Sequence, residues 1–194
     1  MSLTVLVDPG HGGEAAGCTG NGLVEKDIVC HIADQLCDAL SGVAGLTVER
    51  TRWSDETMPL DERGACSRVY QADLVAVIHA DTNPDLHAGF LKTYHLKDDP
   101  VAAIVAASIE RCAPCPLTPP LIAPVIANED DWTARAFNVL ANHGAAHHPV
   151  LIEVAFLSNP RHAAFLRDPY GLASIAAAIA GGILRGAVLL KGDH

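Results

Sequence analysis

Four residues of this chain carry side chains that bind metals or transfer protons, and each lies close to the start or end of a predicted strand or helix. His11 lies within Asp8-Pro-Gly-His-Gly-Gly13, directly after a short apolar run. Glu25 opens a segment with helical periodicity, while His79 and Glu153 lie at or near the ends of two apolar runs. Because the carboxyl ends of parallel strands meet at one crevice of an α/β sheet, we expect these side chains to converge.

These residue types favour a catalytic metal site. Two His and one carboxylate are a ligand set of catalytic zinc, which leaves a fourth coordination position for water. A further carboxylate, not bound to the metal, is then needed to accept a proton from that water. Glu153 stands between Leu151-Ile152 and Val154-Ala155, where an unpaired carboxylate would be costly unless it had a function.

Each residue also has a structural explanation when it is taken alone. A His after a glycine-rich turn is commonly structural, and Glu25 is also explained as a first-turn carboxylate stabilised by the helix dipole. His79 is compatible with a hydrogen-bonded core residue, and Glu153 with one half of a buried ion pair. Four such residues at the ends of four elements favour a common site over four separate coincidences.

The spacing of apolar residues predicts alternating strands and helices. The predicted strands span residues 3–7, 46–51, 73–79, 89–96, 137–140 and 149–155. The predicted helices span residues 25–40, 59–71 and 100–111, followed by a last helix that carries Leu172, Ile175, Ile179 and Ile183. This alternation predicts an α/β fold, a three-layer sandwich with a mostly parallel sheet flanked by helices. The length of 194 residues suits a single domain, 1–194.

Residues 112–132 interrupt this periodicity with prolines at 114, 116, 119, 120 and 124. Loops of this length in compact domains are often functional, so we expect this loop to border a binding groove. Cys112 and Cys115 form a C-x-x-C pair within it, but no second pair completes a zinc site. We therefore expect a disulfide or free thiols there rather than a metal. Cys30 and Cys37 are interpreted as small apolar residues of the first helix.

Composition and missing motifs argue against several classes of protein. The net charge of −10, with 13 scattered Lys and Arg residues, argues against a nucleic-acid partner. We identify no apolar run approaching the roughly 20 residues that span a bilayer, and no basic leader ahead of the first strand. The H-E-x-x-H, G-x-S-x-G and G-x-G-x-x-G motifs of zincin peptidases, serine hydrolases and dinucleotide-binding enzymes are absent.

Six segments follow one another in a specific order and spacing: Asp8-Pro-Gly-His-Gly-Gly13, Glu25-Lys-Asp27, Thr51-Arg-x-x-Asp55, Leu60-x-x-Arg63, Ile78-His-Ala80 and Leu151-Ile-Glu-Val-Ala-Phe-Leu-Ser-Asn159. Together they resemble the zinc-dependent N-acetylmuramoyl-L-alanine amidases of the third amidase family, over about residues 3–184. The resemblance implies that His11, Glu25 and His79 bind zinc (Zn2+) and that Glu153 is the catalytic carboxylate. It also implies a sheet of about six strands flanked by helices.

The resemblance further implies a peptidoglycan hydrolase that cleaves the amide between the lactyl group of N-acetylmuramic acid and L-alanine. In that reaction zinc activates a water and a glutamate acts as general base. Arg63 and Trp132 are the candidate substrate-binding residues. Trp132 would either stack on a sugar face or pack under the loop, and Arg63 is also interpreted as a support of the site. Two alternatives are a related zinc peptidase or amidase acting on another amide, and a metal-binding cell-wall recognition module without turnover.

The expected partner is peptidoglycan or a muropeptide, bound by a monomer without a membrane span. Its expected site of action is the periplasm or cell wall, with a phage-type lysin or a cytoplasmic recycling enzyme as alternatives. Two residues depart from the family's pattern: Asp81 stands where Asn is common, and Ala155 where Gly is common. An added carboxylate beside a metal site changes its charge and its pH dependence.

Overall fold

The computed structural model describes residues 2–117, 124–129 and 133–192. The strands are β1 (Leu3–Pro9), β2 (Thr19–Gly20), β3 (Leu23–Val24), β4 (Leu46–Arg50), β5 (Leu74–Asp81), β6 (Lys92–Leu96), β7 (Val125–Ala127) and β8 (Pro149–Phe156). The helices are α1 (Glu25–Leu40), α2 (Leu60–Val69), α3 (Pro100–Arg111), α4 (Ala134–His143), α5 (Pro160–Leu166) and α6 (Pro169–Gly192). A short 3₁₀ turn spans Ala145–His147.

Six of the strands form one sheet in the order β4-β1-β5-β8-β6-β7, and β2 and β3 form a separate small hairpin. Neighbouring strands of the sheet are parallel except for β6 and β8, which are antiparallel. The predicted α/β class and the mostly parallel six-stranded sheet are therefore confirmed. The register places His79 on β5 directly beside Glu153 on β8, which brings two candidate site residues onto neighbouring strands.

The sheet is covered on both faces, as its apolar strands predict. Val5 and Val7 of β1 belong to a large buried cluster with residues of α1, α3 and α6. Leu6, between them, belongs to a smaller cluster that includes Leu140 of α4 and Leu151 of β8. Successive strand residues point to opposite faces, so the two clusters are the two sides of a three-layer sandwich.

One predicted strand is wrong. Residues 137–140 lie within helix α4, and the sixth strand of the sheet is β7, inside the proline-rich stretch. Phe137 and Val139 alternate with the small Ala136 and the polar Asn138, which resembles a strand. In the structure Ala136, Phe137, Val139 and Leu140 instead share a helical face that packs against the sheet.

Helix α6 bears on the expectation that no apolar run approaches the length of a membrane span. It is 24 residues long, and its most apolar 18-residue window has a mean hydropathy of 1.9, so by length and composition it could span a membrane. Half of that window is buried inside the fold, where Ile175, Ile179 and Ile183 belong to the large core cluster. A buried core helix satisfies the same two criteria, and α6 packs here against α1 and α3.

Candidate metal centre

The carboxyl ends of β1 and β5 bring His11 and His79 to the same edge of the sheet. The amide of Gly10 donates to the carbonyl of Ile78 at 2.9 Å, which fixes the end of β1 beside β5. A Cβ at Gly10 would lie only 2.4 Å from Cε1 of His79. Glycine at this position therefore allows the backbone of the His11 loop to pass beside the His79 ring.

Glu25 lies between the two imidazoles as the first residue of α1. Its Oε1 lies 2.9 Å from Nδ1 of His79 and 3.2 Å from Nε2 of His11. The same oxygen accepts a hydrogen bond from the amide of Ala80 at 3.0 Å, and Oε2 accepts one from the amide of Cys18 at 2.7 Å. Burial alone would raise the pKa of Glu25, but the hydrogen bonds from both histidines hold it well below its usual range.

The three side chains could hold one metal ion. One ligand atom from each of His11, Glu25 and His79 lies within 4.8 Å of the other two. An anionic carboxylate with two imidazoles is a donor set that suits catalytic zinc. Gly17 packs against this set, because a Cβ there would lie 2.4 Å from Oε2 of Glu25 and 2.7 Å from Cδ2 of His11. The residues present therefore fit zinc by donor type and by mutual position.

Glu153 reaches the same cleft from β8. The side chain is half-buried, and its Oε2 atom is sealed from solvent without a hydrogen-bond partner among the described residues. Burial raises the pKa of Glu153 to about 8, with a further contribution from the negative charges of Glu25 and Asp81. No ion pair within the described part of the chain accounts for this carboxylate.

These side chains open into a cleft of about 580 Å³. Its described lining includes the four predicted site residues together with Asp81, Tyr94 and Arg135. Asp81 is exposed at the end of β5, and its Oδ1 accepts a hydrogen bond from the amide of Thr82 at 2.7 Å. Burial and the nearby carboxylates, Glu153 first among them, raise the pKa of Tyr94 to about 12. The cleft thus combines the metal-ligand cluster with several polar groups suited to substrate contact.

A buried polar network lies behind the His11 loop and is centred on Asp8. Oδ1 of Asp8 accepts hydrogen bonds from Nη1 of Arg63 at 2.6 Å and from Oγ1 of Thr51 at 2.5 Å. Oδ2 lies 3.2 Å from Nε2 of His143, whose Nδ1 lies 2.8 Å from Oγ of Ser67. Burial alone would raise the pKa of Asp8, but His143 and Arg63 hold it well below its usual range.

Arg63 ties this network to the metal-ligand loop. Its guanidinium donates to the carbonyls of Pro9 at 2.8 Å and Met58 at 3.1 Å, and also to that of His11. Arg52 adds hydrogen bonds to the carbonyls of Pro9 at 3.0 Å and Gly10 at 2.9 Å. Arg63 is buried and is not among the described residues that line the cleft. Its described contacts are those of a support for the loop.

The structure therefore brings together four of the six predicted site residues. Trp132, the candidate for sugar stacking, lies outside the described residues. All six cysteines are free thiols, and within the described ranges the one cluster able to hold a metal is His11, Glu25 and His79. The sequence interpretation missed His143, whose partner Asp8 is 135 residues away, because no local pattern signals such a contact.

The comparisons with known proteins agree with this geometry. The family described as N-acetylmuramoyl-L-alanine amidase (Amidase_3) matches residues 5–185. The N-acetylmuramoyl-L-alanine amidase LytC of Bacillus subtilis (strain 168) is 31% identical over 165 residues, which cover 85% of this chain and 32% of that protein. The germination-specific N-acetylmuramoyl-L-alanine amidase of the same organism is 27% identical over 199 residues, which cover 93% of this chain and 78% of that protein. The chain thus spans about a third of the length of LytC.

Solved structures share the fold. The N-acetylmuramoyl-L-alanine amidase from Clostridium difficile 630 superposes with a TM-score of 0.81 at 24% identity, covering 94% of this chain and 95% of that one. The amidase AmiC2 of Nostoc punctiforme gives a TM-score of 0.80 at 24% identity, with the same two coverages. With a family match that extends over nearly its whole length, this chain belongs to the N-acetylmuramoyl-L-alanine amidase family.

Proposed function

We propose that this chain is a zinc-dependent peptidoglycan amidase that hydrolyses the amide between the lactyl group of N-acetylmuramic acid and L-alanine. One observation carries the proposal: the cluster of His11, Glu25 and His79 shares an open cleft with Glu153, a carboxylate whose buried oxygen lacks a described hydrogen-bond partner. The family match supports the class of substrate.

His11, Glu25 and His79 would hold the zinc ion. Glu25 stays anionic because its neighbours donate hydrogen bonds to it, so it brings one negative charge to the set. A bound zinc ion would lower the pKa of a bound water and polarise the amide carbonyl. Arg63 keeps the His11 backbone in place from behind the loop, and such supporting contacts fix the orientation of metal ligands.

Glu153 is the proposed general base. Its carboxylate would accept the proton of the attacking water and then deliver it to the departing nitrogen of alanine. A pKa raised to about 8 in this metal-free site makes it a stronger base than an ordinary glutamate, and general acid–base catalysis works best when the pKa lies near the working pH. Its place on β8, beside His79, fixes it on a rigid element near the ligand cluster.

The proposed substrate places the reaction at the cell wall or on muropeptides released from it. Relatives with the same family name include a germination-specific enzyme, and a further relative is the endolysin of Bacillus phage SPP1, 36% identical over 84 residues, covering 43% of this chain and 31% of that protein. The names of these relatives refer to different settings, so the proposal concerns the substrate class and leaves the setting open.

Product analysis tests the proposal. Purified peptidoglycan should release peptides that begin with a free alanine amino group, and mass analysis should find intact glycan strands with unsubstituted lactyl groups. New reducing ends in proportion to turnover would identify a glycosidase instead. Cleavage between two amino acids of the peptide would identify a zinc peptidase.

A further inference from the structure

Arg135 is a cation in a cleft otherwise rich in carboxylates. It lies in the first turn of α4, its side chain is exposed, and it lines the same cleft as Glu25, Asp81 and Glu153. No other Lys or Arg is found among the described residues of that lining. Within the described part of the chain, Arg135 forms neither a hydrogen bond nor an ion pair. Its guanidinium is therefore available to a ligand.

The position of Arg135 is fixed by its helix. Ala136 and Val139 of α4 line the cleft beside it, while Leu140 is fully buried against the sheet. At the other end of the helix, His143 lies 3.2 Å from the buried carboxylate of Asp8. The backbone that carries Arg135 is thus held at two points, and the guanidinium is presented from a rigid element rather than from a loop.

The charge of the cleft limits what Arg135 can bind. Beyond the proposed metal position, the described lining of the cleft carries the carboxylate of Asp81 and one basic side chain, Arg135, so an anionic group of a substrate there is stabilised when it faces Arg135. Arg suits this role because its planar guanidinium can bind a carboxylate through two parallel hydrogen bonds. In the proposed substrate the N-acetylated sugars are uncharged and the lactyl carboxyl is part of the amide. The carboxylates therefore lie on the peptide side.

We infer that Arg135 binds a carboxylate on the peptide side of the scissile amide and thereby selects stems with an acidic residue after L-alanine. The inference rests on the proposed function and specifies the substrate class of the same site. The acidic residue closest to the scissile amide would be one that follows directly on the alanine, and in a γ-linked glutamate the free acid at that place is the α-carboxylate. Arg135 is then a specificity-determining residue that leaves the chemistry at the amide to other groups.

Two substrates that differ in one group test this inference. The first is muramoyl-L-alanyl-γ-D-glutamyl-L-lysine, and the second is the same compound with the glutamate α-carboxylate converted to an amide. The wild-type protein should cleave the acidic compound with the higher kcat/KM. Arg135→Gln should lower kcat/KM for the acidic compound by roughly tenfold to hundredfold, the usual range for a lost charge-assisted hydrogen bond. It should leave kcat/KM for the amidated compound nearly unchanged.

Two variants serve as controls. Arg185→Gln removes an exposed Arg from α6, which does not line the cleft, and should leave both values unchanged. Arg135→Lys keeps the charge but loses the two-pronged geometry, so it should restore part of the preference. Equal losses on both compounds in Arg135→Gln would overturn the inference, as would a wild-type enzyme that does not distinguish them.

Binding of the released peptides separates this inference from the proposed function. By calorimetry, L-alanyl-γ-D-glutamyl-L-lysine should bind the wild-type protein more tightly than its α-amide does, and Arg135→Gln should remove the difference. A protein that shows this discrimination without cleaving either compound would refute the proposed function and keep the inference. A protein that cleaves both compounds but binds the two released peptides equally well would refute the inference and keep the proposed function.

Discussion

Two glutamates of the cleft differ in pKa because their immediate surroundings differ. Glu25 accepts hydrogen bonds from the amides of Cys18 and Ala80 and lies beside two imidazoles, and its pKa is held well below its usual range. The buried oxygen of Glu153 has no donor among the described residues, and its pKa rises to about 8. Opposite environments for paired carboxylates commonly assign opposite roles, here metal ligand and proton acceptor.

The first prediction separates base from ligand. Glu153→Gln keeps the size of the side chain but removes the basic carboxylate, so turnover should fall by roughly 10²–10⁴-fold, the usual contribution of a positioned acid or base. Zinc content should stay normal because the three proposed ligands are untouched. Asp81→Asn is the matched control and should keep turnover within a few-fold. Loss of zinc in Glu153→Gln would make this residue a ligand, and equal losses in both variants would leave the base unassigned.

The second prediction concerns the stability of the metal-free protein. The folded-state pKa of Glu153 is raised to about 8, so the folded protein loses stability as pH rises from the usual glutamate pKa towards that value. After chelation, and near about pH 8.5, Glu153→Gln should therefore unfold at a higher urea concentration than wild type. Its free energy of unfolding should be larger by on the order of 1–3 kcal/mol. Near about pH 3.5 the two proteins should be alike, since the carboxylate is then largely protonated in both states. A difference that does not change with pH would contradict the assignment.

At the scale of elements, α2 and α4 hold the loop between β1 and α1. Arg63 of α2 and His143 of α4 both contact Asp8, the second-to-last residue of β1, just before this loop. Arg63 also donates to the backbone of His11, whose φ of +58° lies in the left-handed region. A non-glycine residue persists there only when its surroundings fix it, and Arg63 supplies part of that restraint.

The third prediction follows from this support. Arg63→Gln leaves Asp8 buried without its charged partner, so the free energy of unfolding should fall by about 3–5 kcal/mol. Zinc affinity should fall by roughly 10–100-fold, as is usual when a contact behind a metal ligand is lost. Arg68→Gln, on an exposed position of the same helix, should change neither quantity. Chemical unfolding and competition with a zinc chelator measure the two effects, and unchanged zinc affinity in a folded Arg63→Gln protein would contradict the support role.

Periodicity in the sequence predicts the long elements well. Helices α1 and α3 have the predicted bounds, because each has a clear apolar face or an Asp-Pro start. Short elements were missed: β7 has three residues, and α5 has seven behind an Asn159-Pro160 start. A three-residue strand is stabilised mainly by its pairing with β6, a contact that no local pattern encodes.

The sequence predicts those site residues whose side chains can bind a metal or transfer a proton and which also lie near the end of a strand or helix. His11, Glu25, His79 and Glu153 each lie near such an end, so the topology of a parallel sheet brings them together. The contacts behind the loop span much longer separations along the chain. The burial of Arg63, which distinguishes a support of the loop from a group exposed in the cleft, cannot be read from the sequence.

At the scale of the whole molecule, the sheet carries the cleft at one end and a His–Asp pair at the opposite end. Strand β8 runs from Pro149 to the cleft at Glu153, and His148 precedes it at the opposite end. Nδ1 of His148 lies 2.9 Å from Oδ1 of Asp99, which also caps α3 by accepting from the amide of Ala102 at 2.9 Å. The hydrogen bond to Asp99 raises the pKa of His148 above its usual value.

The fourth prediction uses this pair. A folded-state pKa raised above the unfolded value stabilises the fold at pH below the unfolded pKa, and the stabilisation is lost as pH rises through the folded pKa. His148→Asn tolerates the positive φ of 44° at this position. It should lower the free energy of unfolding by about 1 kcal/mol near pH 5.5 and by less near pH 8.5. Amidase turnover should be unchanged because the residue lies away from the cleft. A larger loss near pH 8.5 would contradict the assigned direction.

The central claim is that one metal ion, held by His11, Glu25 and His79, is required for amide hydrolysis. Titration of chelated protein with zinc, with bound metal and initial rate measured on each sample, tests it most directly. The account predicts that activity on peptidoglycan rises in step with bound zinc and saturates at about one equivalent. A Cys112→Ser/Cys115→Ser protein should give the same curve, while His79→Ala should bind little zinc and remain inactive. Full activity without bound metal, or a full equivalent of zinc retained by His79→Ala, would contradict it.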